Sequence, residues 1–586
     1  MKILFFSPHQ YINVHAIPEA IVAKELEKDG HEIFQVGCDG LFKENCISMS
    51  AAGVWPHDSI EKKSAICDQC KSGRIHINKR FEFRNSIIEN YIKNEDLLEI
   101  EQIIKGVNIE NWTSFIFDEI YVGKIASYEF LLNYKINTIN IPPEHWESYL
   151  FHLRGVLITL FAGKKILQEI RPDRLVVYNN FYSLNHILCL LAEKNGVSTY
   201  SLHAGSHHKY RLSEMTVFKG HYPQFLTGKT LGWKRYEKLP LTLQGIKSAY
   251  KHIEELLTAQ SPWVYSIKYS GKSTHKLKEI FGVQEHQKVL LATMASGDER
   301  FAAQLVGGLP EYPRPLFETQ VDWILFLIEF AKNNNKYHLI IRVHPREFPN
   351  KRESVLSEQA KNLEILFRGL PNNVSINWPS DSISLHDLIR IVDVGLNATS
   401  TAGLEMLMFG VPVVIYDRNQ LFSYPAELNL CGETLNEYVQ RIEEAATDGW
   451  SMKNIYGVYK WLAFKSDVIA ISIADAYKHP KITWINNLIY SIREKLKISN
   501  YFWGFIEKRE SLNNNMWLTY AIVENKESHI NEYVSCLENK YDLSAKIEVK
   551  LKNIIRNKTL KILYKIAKND KEFSKKINTH FQNLNV

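Results

Sequence analysis

Val392-Asp393-Val394-Gly395-Leu396 runs directly into Asn397-Ala398-Thr399-Ser400-Thr401-Ala402-Gly403-Leu404-Glu405, and after Phe409 the chain reads Gly410-Val411-Pro412-Val413-Val414-Ile415-Tyr416. A short apolar run, a hydroxyl-rich turn, a helix over 401–409, a glycine turn and a second Val-rich run make a strand–helix–strand unit. Strands that are apolar throughout and separated by helices suit a parallel sheet covered on both faces. The pattern extends upstream. Lys288-Val289-Leu290-Leu291-Ala292-Thr293 is a strand, 319–333 a helix, and His338-Leu339-Ile340-Ile341-Arg342-Val343 a strand that ends in His344-Pro345.

The first half repeats the theme. Lys2-Ile3-Leu4-Phe5-Phe6 is followed by Ser7-Pro8-His9 and by helical spacing at Ile17, Ile21, Val22 and Leu26. Asp29-Gly30 closes that helix, and 31–37 is the next strand. The first turn carries no GxGxxG, so the dinucleotide fingerprint is missing. A helix over 144–170, a strand at 174–178, a helix over 184–194 and a strand at 197–202 ending in His203 form a second such unit. The expected fold is α/β, with two Rossmann-like domains facing a central cleft and a helical C-terminal extension. The expected boundaries are an N-terminal domain over 1–240, a helical connector over 241–285, a C-terminal domain over 286–475 and the extension over 476–586.

At 586 residues, with 45% hydrophobic and 23% charged residues, the chain has ample material for two cores. Its net charge is +6. Residues 541–586 hold ten Lys and one Arg against four acids, so a near-neutral body carries a basic tail. That distribution argues against nucleic acid as a partner. The N-terminus lacks a signal-type apolar region, and no 18-residue apolar run occurs. The expectation is a cytoplasmic protein. Leu551, Ile554, Ile555, Ile562, Leu563 and Ile566 share a helical face among the tail lysines, a pattern that suits peripheral attachment to an anionic membrane.

Two motifs follow strand ends in the second domain. They are Arg342-Val343-His344-Pro345-Arg346-Glu347 and the Asn397–Glu405 turn. Open α/β sheets bind ligands beyond the carboxyl ends of their strands. A helix start there, with hydroxyls at Thr399, Ser400 and Thr401, suits a phosphate, and His344 can donate to it. Glu405, further along that helix, can accept from ribose hydroxyls. For proton transfer the candidates are Asp298 and Glu299, just past 288–293. On the N-terminal side, His9, His15 and His203 follow strand ends.

The HP motif and the Ser/Thr-x-x-x-Glu turn within this two-domain layout resemble bacterial capsule and lipopolysaccharide glycosyltransferases of the GT-B fold. The nearest likeness is to the group holding Kdo transferases and bacterial sialyltransferases. Teichoic-acid glycerophosphotransferases are similar over the same region, about 285–420. The resemblance implies an inverting, metal-independent transfer from a nucleotide-sugar donor, in this group often CMP-linked, to a glycan or glycolipid acceptor. It implies donor-phosphate contacts at His344, Thr399, Ser400 and Thr401, with Arg342 and Glu405 on the donor side and His9, His15 and His203 on the acceptor side. The alternatives are a CDP-glycerol-type polyol-phosphate transferase, a non-hydrolysing sugar-nucleotide epimerase and a non-catalytic assembly partner.

Four of the seven cysteines, Cys38, Cys46, Cys67 and Cys70, fall within 33 residues, and Cys67-Asp68-Gln69-Cys70 has metal-ligand spacing. Four thiolates suit a tetrahedral structural zinc, and free thiols are the alternative.

Overall fold

The computed structural model describes residues 1–205, 213–220, 232–258, 269–311, 313, 316–350, 354–476, 516–539 and 545–581. Parts of the C-terminal extension expected over 476–586 lie outside these. The chain forms two Rossmann-like α/β units. Residues 1–224, 298–310 and 470–529 make up the first, and 225–297, 311–469 and 530–586 the second.

The first unit is built on a seven-stranded sheet. In chain order its strands are β1 (Lys2–Phe6), β2 (Glu32–Gly37), β3 (Arg84–Ile87), β4 (Arg174–Tyr178), β5 (Ser198–Ala204) and β6 (Glu214–Lys219). The seventh, Ile471–Ser472, comes from far downstream. The first five are parallel in the order 3-2-1-4-5, and β6 and Ile471–Ser472 add antiparallel at the edge. The order reverses direction between β1 and β4, which makes that junction the switch point. The sheet is apolar on both faces. Ile3, Phe5, Val176, Tyr200 and Val217 pack with Ile17, Ala20 and Ile21 of the helix Asn13–Lys28 and with Leu518 and Ile522 of the helix Trp517–Val523.

The second unit holds β7 (Lys288–Thr293), β8 (Tyr337–Arg342), β9 (Val374–Asn377), β10 (Val392–Asn397), β11 (Val413–Ile415) and β12 (Leu430–Cys431). All six are parallel, in the order β12-β11-β10-β7-β8-β9. Numbered within the unit this is 3-2-1-4-5-6, the full Rossmann order, with its switch point between β7 and β10. Leu290, Leu339, Ile341, Val394, Leu396 and Val414 form the sheet's share of the core, against Trp323, Ile324 and Leu327 of the helix Gln320–Lys332.

The boundaries differ from those read in the sequence. The amphipathic helix Leu243–Leu257 is no free connector. It packs on the helix Met452–Phe464 of the second unit through Ile246, Ala249 and Ile253. The extension is divided: Trp517–Val523 covers the first unit's sheet, and residues 530 onward join the second. In the basic tail the helix Ala545–Ile566 turns Leu551, Ile555, Ile562, Leu563 and Ile566 into the second unit, at 7% exposure or less. The face expected to meet a membrane therefore packs against protein. No helix among the described residues is long and apolar enough to cross a membrane.

Candidate functional site

In the second unit, β7 and β10 diverge at their carboxyl ends, and the loop leaving each is braced from below. The Thr293 hydroxyl donates to Asn397 Oδ1 at 2.9 Å, and Asn397 Nδ2 donates to the Ser400 carbonyl at 2.8 Å and to the Tyr424 hydroxyl at 3.2 Å. Asn397 is fully buried. It fixes the turn Ala398–Thr401 while leaving the hydroxyls outside: Thr399 and Ser400 are half-buried and Thr401 is exposed. Thr401 occupies the cap position of the helix Ala402–Leu407 without a side-chain cap bond, and Ser400 Oγ accepts from the Ala402 N–H at 3.2 Å. Gly403 permits this packing. A Cβ there would lie 2.1 Å from the Tyr424 hydroxyl and 2.5 Å from Asn397 Nδ2. The loop after β7 is clamped by Gln320, which accepts from the Ala295 N–H at 2.6 Å and donates to the Ala295 carbonyl at 3.1 Å.

His344 caps the short helix Pro345–Glu347 beyond β8, and its Nδ1 accepts the Arg346 N–H at 3.3 Å. A neutral ring that accepts at Nδ1 carries its proton on Nε2, the tautomer needed to donate to an anionic oxygen. Glu347, also buried, ties this segment to the β7 loop by accepting from the Gly297 N–H at 3.2 Å. The Arg342 guanidinium is engaged elsewhere, with Asn377 Oδ1 and with the Ile383 carbonyl at 3.0 Å. Burial pushes it down to about 10 against the pull of Glu405, Asp387 and Asp381. This places Arg342 as a strut between strand ends rather than beside the hydroxyl turn. Glu405 faces inward, with Oε2 3.1 Å from His386 Nε2.

Asp298 and Glu299 occupy the first turn of the helix Gly297–Leu305. From Asp298 onward this segment belongs to the first unit, where Gly308 lies directly on Phe181. The two candidate bases thus belong to a different compact unit from His344, because the chain crosses over right after β7.

The first unit's switch point has another character. The β1 exit carries Ser7 and His9, the helix after it carries His15 and Glu19, and the β4 exit leads to Tyr182 and Asn185. His15 stacks on Tyr178 with centroids 4.0 Å apart, His9 meets Tyr182 edge-on at 5.4 Å, and His203 lies 5.8 Å from Tyr178. The three expected histidines therefore gather around Tyr178 and Tyr182. His9 is 5% exposed, and neither ring nitrogen has a hydrogen-bond partner. Burial pushes it down to about 3, and the nearby Asn185 side chain opposes that shift without completing a hydrogen bond. Gln10, also buried, has both amide atoms unpartnered, and Asn185 Oδ1 is likewise unsatisfied.

Sequence reasoning missed Glu19. It is buried, it accepts from the Ser7 hydroxyl, and burial pushes its carboxyl up to about 8. The signal was present: Glu19 is the lone carboxylate in Ala16-Ile17-Pro18-Glu19-Ala20-Ile21-Val22-Ala23, on a helix that directly follows a strand end.

The four cysteines come within electrostatic reach of one another, Cys46 of Cys38, Cys67 and Cys70, and Cys67 of Cys70. Among the described residues no group of three or more His, Cys, Asp or Glu side chains is placed to hold a metal. Cys67 and Cys70 lie on one continuous helix, Ile60–Phe81, instead of a knuckle. Cys70 Sγ is directed at the Pro8 carbonyl at 3.8 Å, and Cys38 Sγ at Glu89 at 3.8 Å. Burial pushes the Cys46 thiol up to about 12 and raises Cys38, Cys67 and Cys70.

No family model and no curated protein matches the chain. Among solved structures it is similar to the UDP-GlcNAc 2-epimerase of Neisseria meningitidis bound to UDP-GlcNAc, at 13% identity over 79% of this chain and 97% of that one, with a TM-score of 0.24. It is similar to the calicheamicin glycosyltransferase CalG4 at 13% identity over 84% and 98%, TM-score 0.25. A third likeness is to Thermosulfurimonas dismutans KpsC, a β-Kdo 2,4 transferase, at 13% identity over 46% of this chain and 78% of that one, TM-score 0.28.

Proposed function

We propose that the chain is an inverting glycosyltransferase. It moves a sugar from a nucleotide-activated donor, CMP-linked in the first instance, to a surface-glycan acceptor such as capsule or lipopolysaccharide. The observation that carries this reading is the β7/β10 switch point of the second unit. There a buried Asn397 frame presents the Thr399–Thr401 hydroxyls, and past the end of β8, the strand next to β7, His344 accepts the Arg346 N–H at Nδ1, which suits a ring with its proton on Nε2. In the proposal these groups take the donor's phosphate, and Glu405, oriented by His386, takes the ribose hydroxyls. As the glycosidic C–O bond breaks, charge grows on the phosphate, and His344 with the hydroxyls stabilises it, so the step requires no metal ion.

The first unit's switch point is proposed to take the acceptor. Its buried, unsatisfied His9, Gln10 and Asn185 are groups that a polyhydroxylated ligand would pair. In the transfer the acceptor oxygen bonds to the anomeric carbon as the nucleotide departs, and Glu19, in its ionised form, is proposed to take the acceptor's proton. Burial, which pushes this carboxyl up to about 8, leaves only its minor ionised fraction to act at neutral pH and makes that fraction the stronger base, so the activity is expected to rise as pH approaches 8.

Release of nucleotide, measured over CMP-, UDP-, GDP- and CDP-linked donors with glycan acceptors, tests the reading. The expected result is acceptor-dependent release from one donor class. Conversion of a donor to its epimer without acceptor would make the protein an epimerase. Transfer from CDP-glycerol would make it a polyol-phosphate transferase.

A further inference from the structure

A cavity of about 580 Å³ opens within the second unit, among the segment 238–241, the helix Met452–Phe464 and the helix Ala545–Ile566. That is the size of a small-molecule site. Its walls are aliphatic, from Leu239, Leu428, Leu551 and Ile555, while Lys238, Lys453, Lys460 and Lys552 ring it. Its two carboxylates are already engaged. Glu427 accepts from Trp233 Nε1 at 2.9 Å, and Glu548 pairs with Lys552 at 3.0 Å. Lys453 has no carboxylate partner among the described residues. Lys460 is half-buried and donates to the Glu237 carbonyl, and burial, with Lys552 adding to it, holds its ammonium below the usual lysine range. A cavity with apolar walls and surplus positive charge is complementary to a molecule with an aliphatic body and an anionic head.

We infer that this cavity is a binding site for a single anionic membrane lipid, its phosphate held by Lys453 and Lys460 and its acyl portion against Leu239, Leu428, Leu551 and Ile555. The tail helix, whose apolar face is packed into the protein, then reaches a membrane lipid through the lysine-rimmed cavity it helps to wall instead of lying on the bilayer. The inference stands apart from the transferase reading, because none of these residues belongs to either switch point.

The test is calorimetry on the full chain with dihexanoyl phosphatidylglycerol below its micelle concentration. Dihexanoyl phosphatidylcholine serves as the control for charge, and glycerol 3-phosphate as the control for the acyl portion. Phosphatidylglycerol is expected to bind at least tenfold tighter than either control, and Lys453→Glu with Lys460→Met to weaken it tenfold or more. Leu241→Trp, which fills the cavity mouth without touching a charge, should weaken it similarly and stands in if the double variant does not fold. Equal affinity for phosphatidylcholine, equal affinity for glycerol 3-phosphate, or unchanged binding by the variants would each overturn the site.

Discussion

The two switch points occupy equivalent places in two Rossmann-like sheets, yet they are built in opposite ways. In the second unit the groups that frame the turn are bonded to one another: Thr293 to Asn397, Asn397 to Ser400 and Tyr424, Gln320 to Ala295. The site presents half-buried to exposed hydroxyls on that bonded frame, with unsatisfied atoms confined to Glu405 and His386 among the groups assigned to it. In the first unit the polar groups are themselves buried, and His9, Gln10 and Asn185 are left unsatisfied. An unpaired buried polar atom costs about 1–3 kcal/mol. Such a cluster persists in a protein where bound water or a ligand meets it. The contrast separates a rigid cradle for charge from a buried pocket for hydroxyls and proton transfer.

If that division of labour is right, the largest effect comes from the first unit. Glu19→Gln removes the proposed proton acceptor and keeps its volume and its bond from Ser7. Turnover is expected to fall ~10²–10⁴-fold with nucleotide affinity unchanged. Normal turnover would return the base to Asp298 or Glu299. Next, His344→Ala should reduce turnover ~10²–10³-fold, the scale for one donor to a developing charge. The fold should survive, and circular dichroism checks this. Near-normal turnover would make His344 a strand-end cap alone.

The hydroxyls of the cradle come third. Ser400→Ala with Thr401→Ala should weaken nucleotide binding in calorimetry, each lost bond to a charged phosphate contributing ~1.5–3 kcal/mol. Unchanged affinity would remove the phosphate from this turn. Beneath them, Gly403→Ala would drive a methyl into Tyr424 and Asn397. Overpacking of this kind costs about 1–3 kcal/mol, and a lower midpoint in chemical denaturation would show it.

What could be read from the sequence follows the same contrast. The second sheet's central strands are largely apolar and its turn carries hydroxyls in a row, so β7, β8, β10, β11 and the switch point were legible, whereas the two-residue β12 was not. The first sheet was legible only at β1, β2, β4 and β5. Its edge strand Arg84-Asn85-Ser86-Ile87 is mostly polar, because only one side of it is paired, to β2. The Ile471–Ser472 strand is two residues long and pairs with β6 across some 250 positions of chain, which no local pattern reveals. The cysteine spacing picked out four side chains that do lie near one another, but a CxxC pair reads alike on a helix and in a knuckle, and here it lies on a helix. Glu19 escaped because a buried carboxylate on an apolar helix face contradicts the pattern that identifies the face.

The smallest effect concerns stability and isolates Glu19 from catalysis. In the folded protein its carboxyl holds its proton until about pH 8, whereas an unfolded glutamate ionises near 4.5. Between these values the native state binds one more proton than the unfolded state, so stability falls as pH rises through the window. The slope is at most roughly 1.4 kcal/mol per pH unit for one proton. Between pH 7 and 8 the other buried groups interfere little. His9 and His152, both pushed down to about 3, are neutral in the fold, and Glu129, pushed up to about 7, gives up the rest of its proton in this range in wild type and variant alike, so its contribution cancels. Wild type should therefore lose stability from pH 7 to 8 by about 1 kcal/mol more than Glu19→Gln, which cannot ionise. Denaturant midpoints at the two pH values measure the difference. Parallel changes in wild type and variant would mean that Glu19 is already ionised in the fold at pH 7, so that its carboxyl is not held up by burial and accepts a proton as an ordinary carboxylate.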